Sequence, residues 1–118
     1  MNVYASFVRS LIKNPRDILS ELNHYDTNLL HMSIGVVGEA SEMLEMVKKG
    51  VFNGHVIDRE KFVKELGDIE FYLEGLRQHF GITREEIIEG NISKLIARYP
   101  NGYSDVSSIV RADNDQST

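Results

Sequence analysis

Two pairs of acidic residues are the part of this sequence best suited to chemistry. Glu39 and Glu42 lie in the stretch GEASEMLEM, and Glu65 and Asp68 lie in ELGD. Residues three apart on a helix project from one face, so each pair can point two carboxylates in a common direction. Oxygen donors from two facing helices suit a hard divalent cation, and Mg²⁺ or Mn²⁺ fits that description. The spacing therefore predicts a metal site between two helices.

The residues around these glutamates indicate that they face inward. On a helical wheel, with each residue turned by about 100° from the last, Glu39 and Glu65 each fall at the centre of an apolar face. A buried carboxylate is unfavourable unless it is paired or bound to a cation, and four close together repel one another. The apolar neighbours are Met32, Val36, Met43 and Met46 around Glu39, and Phe62, Ile69, Tyr72 and Leu76 around Glu65.

Each pair taken alone also has a plainer interpretation. Glu-x-x-Glu occurs on many solvated helices, and Glu65 can form an ion pair with Lys61 one turn earlier. Tyr72 can be ordinary core packing instead of a ring that stacks on a base. The recurrence of one pattern on two apolar faces favours the metal site.

Composition excludes several classes of protein. The chain has 118 residues, which suits a single domain, and it has no cysteine for disulfides or a thiolate zinc site. A net charge of −5 argues against a nucleic-acid surface, because phosphate binding needs a basic stripe. No apolar run reaches the roughly 18 residues that span a bilayer, and the start MNVYASFVRS lacks the apolar core of a signal peptide. We expect a cytoplasmic protein that binds neither nucleic acid nor membrane.

The elements that must position the carboxylates are helices. The stretch VYASFVRSLIK predicts a short first helix, and Asn14 with Pro15 provides an N-cap and first-turn pair for a second. The second helix either continues as far as Lys49 or breaks near HYDTN, because Asn, Asp and Thr are weak helix formers. Gly50 is its expected C′ residue.

Capping residues also mark two later helices. Asp58 is the predicted N-cap of the third, and Gly81 is its predicted end. Thr83 and Glu86 form a capping box that opens the fourth, which Pro100 closes. The pattern predicts an all-α bundle of four main helices.

One domain over residues 1–111 and a polar tail over residues 112–118 are expected. The segment 30–47 is apolar on two sides, which predicts that the bundle is completed by oligomerisation, at least as a homodimer. The apolar residues opposite Glu39 are Leu30, Ile34, Val37 and Leu44.

The acidic pairs and the segments that follow them resemble the MazG-like all-α nucleoside triphosphate pyrophosphohydrolases, in particular the small single-domain members of bacteria and phages. The likeness covers roughly residues 28 to 111. It rests on GEASEMLEMVKKG, DREKFVKELGDIEFYL, GITREEIIEGNISKLIARYPNGYS and SSIVR, in that order. One departure is Phe71, where many relatives have tryptophan.

The resemblance implies a reaction and roles for individual residues. It implies Mg²⁺-dependent cleavage of a nucleoside triphosphate between the α and β phosphorus atoms, in a homodimer or homotetramer. Glu39 or Glu42 is the expected proton acceptor. The implied metal ligands are Glu39, Glu42, Glu65 and Asp68, and the substrate-binding candidates are Asn91, Lys94, Arg98, Tyr72 and Lys48.

Two other classes of protein compete with this one. A di-iron carboxylate bundle also projects glutamates inward, and Glu21 with His24 supplies one Glu-x-x-His motif of the two that it needs. A non-enzymatic helical interaction module could instead meet a partner's cations with its inward charges. Metal binding separates the three interpretations.

Overall fold

The computed structural model describes residues 2–102, and within that range the chain is entirely helical apart from its connections. The prediction of an all-α fold is confirmed. The helices are α1 (Val3–Leu11), α2 (Pro15–Glu21), α3 (His24–Asn53), α4 (Arg59–Phe80) and α5 (Arg84–Arg98). None of these helices is both long enough and apolar enough to cross a membrane.

Side-chain caps begin three of the helices where the sequence predicts them. The Asn14 side chain accepts a hydrogen bond from the backbone of Arg16 at 2.9 Å, with Pro15 in the first turn of α2. Asp58 caps α4 through the backbone nitrogen of Glu60, also at 2.9 Å. Thr83 caps α5 in the same way. Each cap satisfies an amide that has no partner within its helix.

The open question about the second helix is resolved by a break before HYDTN. Helix α2 ends at Glu21, and Asn23 caps α3 by accepting a hydrogen bond from the Asp26 backbone at 2.8 Å. The expectation that Gly50 ends this helix is wrong. Gly50 is helical, and Gly54, with φ 70°, is the residue in the left-handed region that ends α3. Glycine adopts that conformation without the steric cost of a Cβ.

The long helices α3 and α4 pack as an antiparallel hairpin. Asn28 Nδ2 lies 2.9 Å from His79 Nδ1 at one end of the hairpin. Four residues further along α3, Met32 fills the space beside Gly75, and three residues later Gly35 leaves room for the ring of Tyr72. Each step forward on α3 is matched by an equal step backward on α4, and this register positions the acidic pairs.

By contact density the chain divides into two units, Met1–His79 and Phe80–Thr118. The first contains α1, α2, α3 and nearly all of α4, and it carries both acidic pairs. The second contains α5. The predicted tail at residues 112–118 lies outside the described residues.

Candidate metal centre

Three carboxylates converge in the α3–α4 hairpin. One oxygen from each of Glu39, Glu42 and Glu65 lies within 4.8 Å of the others, and we call these residues the carboxylate cluster. The register explains the convergence, because one more turn beyond the contact of Gly35 with Tyr72 brings the acidic pair of α3 opposite the acidic pair of α4. Asp68 is exposed and stands outside the group of three.

Two members of the cluster are partly enclosed, and each has one carboxylate oxygen without a hydrogen-bond partner. Glu39 and Glu65 are half-buried, and Oε2 of each is shielded from solvent with no partner in the described part of the chain. Glu42 is exposed. The apolar neighbours predicted from the helical wheel are half-buried on both helices, so the inward direction of these faces follows the expected pattern.

The electrostatics of the cluster are unfavourable for a chain without a cation. Partial burial raises the pKa of Glu39 above its ordinary value of 4.5, and the nearby charges of Glu42, Asp68 and Glu65 raise the pKa further. A hydrogen bond between Glu39 and Glu42 acts in the same direction. Each cause disfavours the ionised form of Glu39. A bound cation would reverse the effect of the neighbouring charges.

The donor set fits a hard divalent cation. All three groups offer carboxylate oxygen, and within residues 2–102 no histidine joins them. The shielded Oε2 atoms of Glu39 and Glu65 provide unused acceptor positions of the kind that Mg²⁺, Mn²⁺ or Ca²⁺ occupies. The cluster can therefore hold a divalent cation between α3 and α4.

The plainer interpretations of the acidic residues are not supported. Among the described residues Glu65 forms no ion pair with Lys61, although other acidic residues of the hairpin do pair with basic ones. The Glu-x-x-His motif of the di-iron alternative is divided, because Glu21 ends α2 and His24 begins α3. Glu21 instead pairs with Lys13 at 2.6 Å.

The other predicted site residues lie in three different settings. Lys48 is exposed and 3.7 Å from Glu45, in an ion pair one turn along α3. Tyr72 is half-buried against Gly35, and its ring meets Phe71 edge-on with centroids 5.1 Å apart, so it packs the hairpin. The candidates on α5, which belongs to the second unit, are exposed Asn91 and Lys94 and half-buried Arg98. Their roles towards a substrate stay predictions.

A cavity of about 450 Å³ in the hairpin was not expected from the sequence. Its wall includes Asn28 and Met32 of α3 together with Phe71, Glu74 and Gln78 of α4, and we call it the amide cavity. It lies towards the end of the hairpin that is farther from the connection between α3 and α4. The only sequence signal for it is the presence of two amide residues and an exposed aromatic residue on facing helices.

The fold and the cluster define an all-α protein with a candidate centre for a divalent metal. Comparison with protein families matches residues 28–103, which are more than half of the chain, to the MazG nucleotide pyrophosphohydrolase domain. The chain belongs to the MazG nucleotide pyrophosphohydrolase family, as the acidic pairs together with the segments that follow them predicted. That family depends on divalent metal ions. Comparisons with curated proteins and with solved structures gave no match.

Proposed function

We propose that this protein is a Mg²⁺-dependent pyrophosphohydrolase that converts a nucleoside or deoxynucleoside triphosphate and water into the monophosphate and pyrophosphate. One observation carries the proposal: in a MazG chain, two half-buried glutamates aim oxygens without partners into a cluster of three carboxylates. Such a cluster needs a positive partner, and a nucleotide phosphate needs one as well. A cation held at this position serves both.

The residues of the chain then divide into three roles. Glu39, Glu42, Glu65 and Asp68 would hold the cation, for which Mn²⁺ is the alternative to Mg²⁺. When bound there, the cation would supply neutralisation of phosphate oxygens and polarisation of a water for attack on the α phosphorus. Glu39 or Glu42 would accept the proton of that water, because both are carboxylates of the cluster.

Substrate binding is assigned to α5 and to Lys48 of the hairpin, and Tyr72 is assigned a supporting role. Lys94 and Arg98 bind phosphate oxygens, and Asn91 donates a hydrogen bond to the substrate. Lys48 would have to leave its exposed pair with Glu45 to contribute. Tyr72 acts through its packing against Gly35, which holds α3 and α4 at the spacing that the cluster needs.

The proposed active form is a homodimer or homotetramer. The residues opposite Glu39 on α3 keep large exposed fractions in the single chain, 61% for Ile34 and 70% for Val37. Ser33, Ile34, Val37 and Gly38 line a shallow apolar depression there. Contiguous exposed apolar surface of this kind marks protein interfaces, and we infer that a second copy of the chain covers it. The site of action is expected to be the cytoplasm, which fractionation of cells can test.

Product analysis tests the proposed reaction. The purified protein is incubated with each ribo- and deoxyribonucleoside triphosphate and Mg²⁺, and the products are separated by anion-exchange chromatography. We expect monophosphate and pyrophosphate in equal amounts, and no turnover in EDTA. A Glu65→Gln preparation purified in parallel controls for contaminating phosphatases. Release of orthophosphate with a diphosphate product would contradict the proposal.

A further inference from the structure

The amide cavity lies along the same hairpin as the carboxylate cluster. Met32 precedes Glu39 by seven residues, and Phe71 follows Asp68 by three. At a rise of about 1.5 Å per residue, the cavity begins one turn from the cluster and extends to about three turns, where Asn28 and Gln78 lie. Ribose and base extend over the nearer part of this span beyond an α-phosphate. A nucleotide with its phosphates at the cluster can therefore reach the cavity with its base.

Hydrogen bonds inside the hairpin leave the cavity rich in acceptors. The Asn28 amide nitrogen is engaged with His79 Nδ1 at 2.9 Å, and the Gln78 amide nitrogen donates to Glu74 Oε2 at 3.0 Å. In the described part of the chain no group donates to the amide oxygen of Asn28 or to that of Gln78. Each amide oxygen has two lone pairs and each amide nitrogen keeps one further N–H, so the unused acceptors outnumber the unused N–H groups.

The charge of the cavity wall also favours a ligand with N–H donors. Arg77 Nε donates to Glu74 Oε1 at 2.7 Å, and this hydrogen bond with that from Gln78 lowers the pKa of Glu74, which therefore stays ionised. The cavity wall contains a carboxylate but no lysine or arginine. Arg77 balances the charge of Glu74, so the wall itself has no cation for a phosphate, whereas its acceptors favour a group with N–H donors.

An aromatic ring completes the cavity. Phe71 lies on the wall with 65% of its surface exposed, so its ring is accessible for stacking, and it packs with Tyr72 in an edge-to-face arrangement. Stacking of a base on an aromatic ring is favourable and accepts any base, so hydrogen bonds must provide the selection. A volume of about 450 Å³ falls in the range of small-molecule sites.

We propose that the amide cavity binds the nucleobase of the substrate and selects bases that carry an exocyclic amino group over their oxo counterparts. Asn28 and Gln78 accept hydrogen bonds from the amino group, and Phe71 stacks on the ring. This inference rests on the proposed function. A base with a carbonyl in place of the amino group would bring a third acceptor to the two amide oxygens, and an unpaired contact between acceptors is unfavourable.

Two matched substrate pairs test the selection. Cytosine and uracil differ at one exocyclic position and the adjacent ring nitrogen, and so do adenine and hypoxanthine. We expect kcat/KM with Mg²⁺ to be at least about tenfold higher for CTP than for UTP, and for ATP than for ITP, because a site built for a donor discriminates against a missing donor. Equal values in both pairs would overturn the inference and leave the proposed reaction intact.

Equilibrium binding provides a readout that does not depend on turnover. Calorimetry with CMP and UMP, and with AMP and IMP, should give a dissociation constant at least about tenfold lower for the amino member of each pair. Equal constants overturn the selection even if the enzyme is active. If the difference in binding is present and no triphosphate is cleaved, the cavity assignment stands and the proposed reaction fails.

Substitutions attribute the selection to the cavity. Gln78→Leu removes one acceptor at nearly constant size, so the CTP to UTP ratio should fall towards one, mainly through a higher KM for CTP. Lys64→Leu is the matched control, since Lys64 is an exposed residue of α4 outside the cavity wall, and it should keep the wild-type ratio. Asn28→Leu is a second cavity variant. Wild-type ratios in both cavity variants, with circular dichroism showing folded protein, would contradict the proposal.

Discussion

Glu39 and Glu65 are expected to change the stability of the chain in opposite directions with and without a bound cation. Each has one carboxylate oxygen that is shielded from solvent and lacks a hydrogen-bond partner among the described residues. An unpaired acceptor in such a place is unfavourable, and neighbouring negative charges add to the cost. The cluster should therefore lower the stability of the metal-free protein and raise that of the metal-bound protein.

Glu65→Gln separates these two effects, because it keeps the shape of the side chain and removes one charge. In EDTA the variant should be as stable as the wild type or more stable. With Mg²⁺ at 100 times the dissociation constant, the wild type should gain about 2.7 kcal/mol, because the ion binds only the folded state. The variant should lose most of that gain and at least about 100-fold in turnover. Thermal melts and a pyrophosphate assay measure both.

Glu60→Gln is the matched control for this test, since Glu60 is an exposed glutamate of the same helix. Its Mg²⁺-induced shift in Tm should equal that of the wild type. If Glu65→Gln kept its activity and its full Mg²⁺ shift, the carboxylate cluster would not be the metal site.

The raised pKa of Glu39 predicts a pH dependence of the metal-free protein. Because its folded-state pKa lies above the ordinary value of 4.5, Glu39 contributes stability that is fully present below pH 4.5 and is lost as pH rises through the raised pKa. Glu39→Gln stays neutral throughout. In EDTA, the Tm of this variant should therefore rise relative to the wild type as the pH increases from 4.5.

Melting curves in EDTA at a series of pH values check this expectation. Glu89→Gln, at an exposed position of α5, provides the control, and its Tm difference from the wild type should not follow the same trend. A Tm difference between Glu39→Gln and wild type that stays constant with pH would show that the cluster does not strain Glu39. Saturating Mg²⁺ should remove the trend, because the cation favours the ionised carboxylate.

At the scale of the helices, the close packing of α3 on α4 holds the cluster together. The ring of Tyr72 occupies the space where a Cβ at Gly35 would stand, whereas the flexible end of Met32 lies at the corresponding place beside Gly75. A ring that is fixed by its neighbours cannot move aside easily, but a thioether can. The two glycines should therefore differ in how they tolerate a methyl group.

Gly35→Ala should destabilise the protein by about 1–3 kcal/mol through overpacking, and Gly75→Ala should be close to neutral. Gly90→Ala is the control: its Cβ meets nothing within 4 Å, so the better helix propensity of alanine should stabilise α5 by up to about 1 kcal/mol. Urea denaturation measures all three changes. Equal effects of Gly35→Ala and Gly90→Ala would show that Tyr72 does not hold the helices at this spacing.

Local signals in the sequence predicted the beginnings of helices well and one end poorly. Asn14, Asp58 and Thr83 act as caps because the cap hydrogen bond involves only residues two or three positions away. Gly50 was misassigned because its role depends on a distant contact: Ile57 packs where its Cβ would be. With this packing, α3 continues as far as Asn53, and Gly54 is the residue that ends it.

The candidate site was predictable to the extent that it depends on helix periodicity. The wheel identifies which carboxylates face inward, since that follows from the angle between successive residues. The register of α3 against α4 does not follow from the wheel, because it is set by which glycine accommodates which large side chain. The amide cavity depends on that register, so its lining residues could not be brought together from the sequence alone.

At the scale of the whole molecule, the exposed apolar face of α3 is the feature that a single chain does not explain. None of the described residues is fully buried, which is unusual for a chain of 118 residues with a stable fold. The predicted stripe of Leu30, Ile34, Val37 and Leu44 is between 49% and 70% exposed. Burying such a stripe against a second copy would supply hydrophobic stabilisation that the hairpin alone lacks.

Val37→Glu tests whether that stripe is the interface of a homodimer or homotetramer. In a symmetric interface the substitution occurs on both subunits, so two unpaired carboxylates would be buried in apolar surroundings, and the assembly should dissociate. Val56→Glu makes the same change at a residue that is 94% exposed in the connection between α3 and α4, and it should leave the assembly intact.

Sedimentation velocity across the working concentration range gives the masses of the wild type and both variants. We expect a dimer or larger for the wild type and Val56→Glu, and a smaller species for Val37→Glu. A wild type that sediments as a monomer at every concentration would exclude the proposed assembly, and an intact Val37→Glu assembly would place its interface on another face.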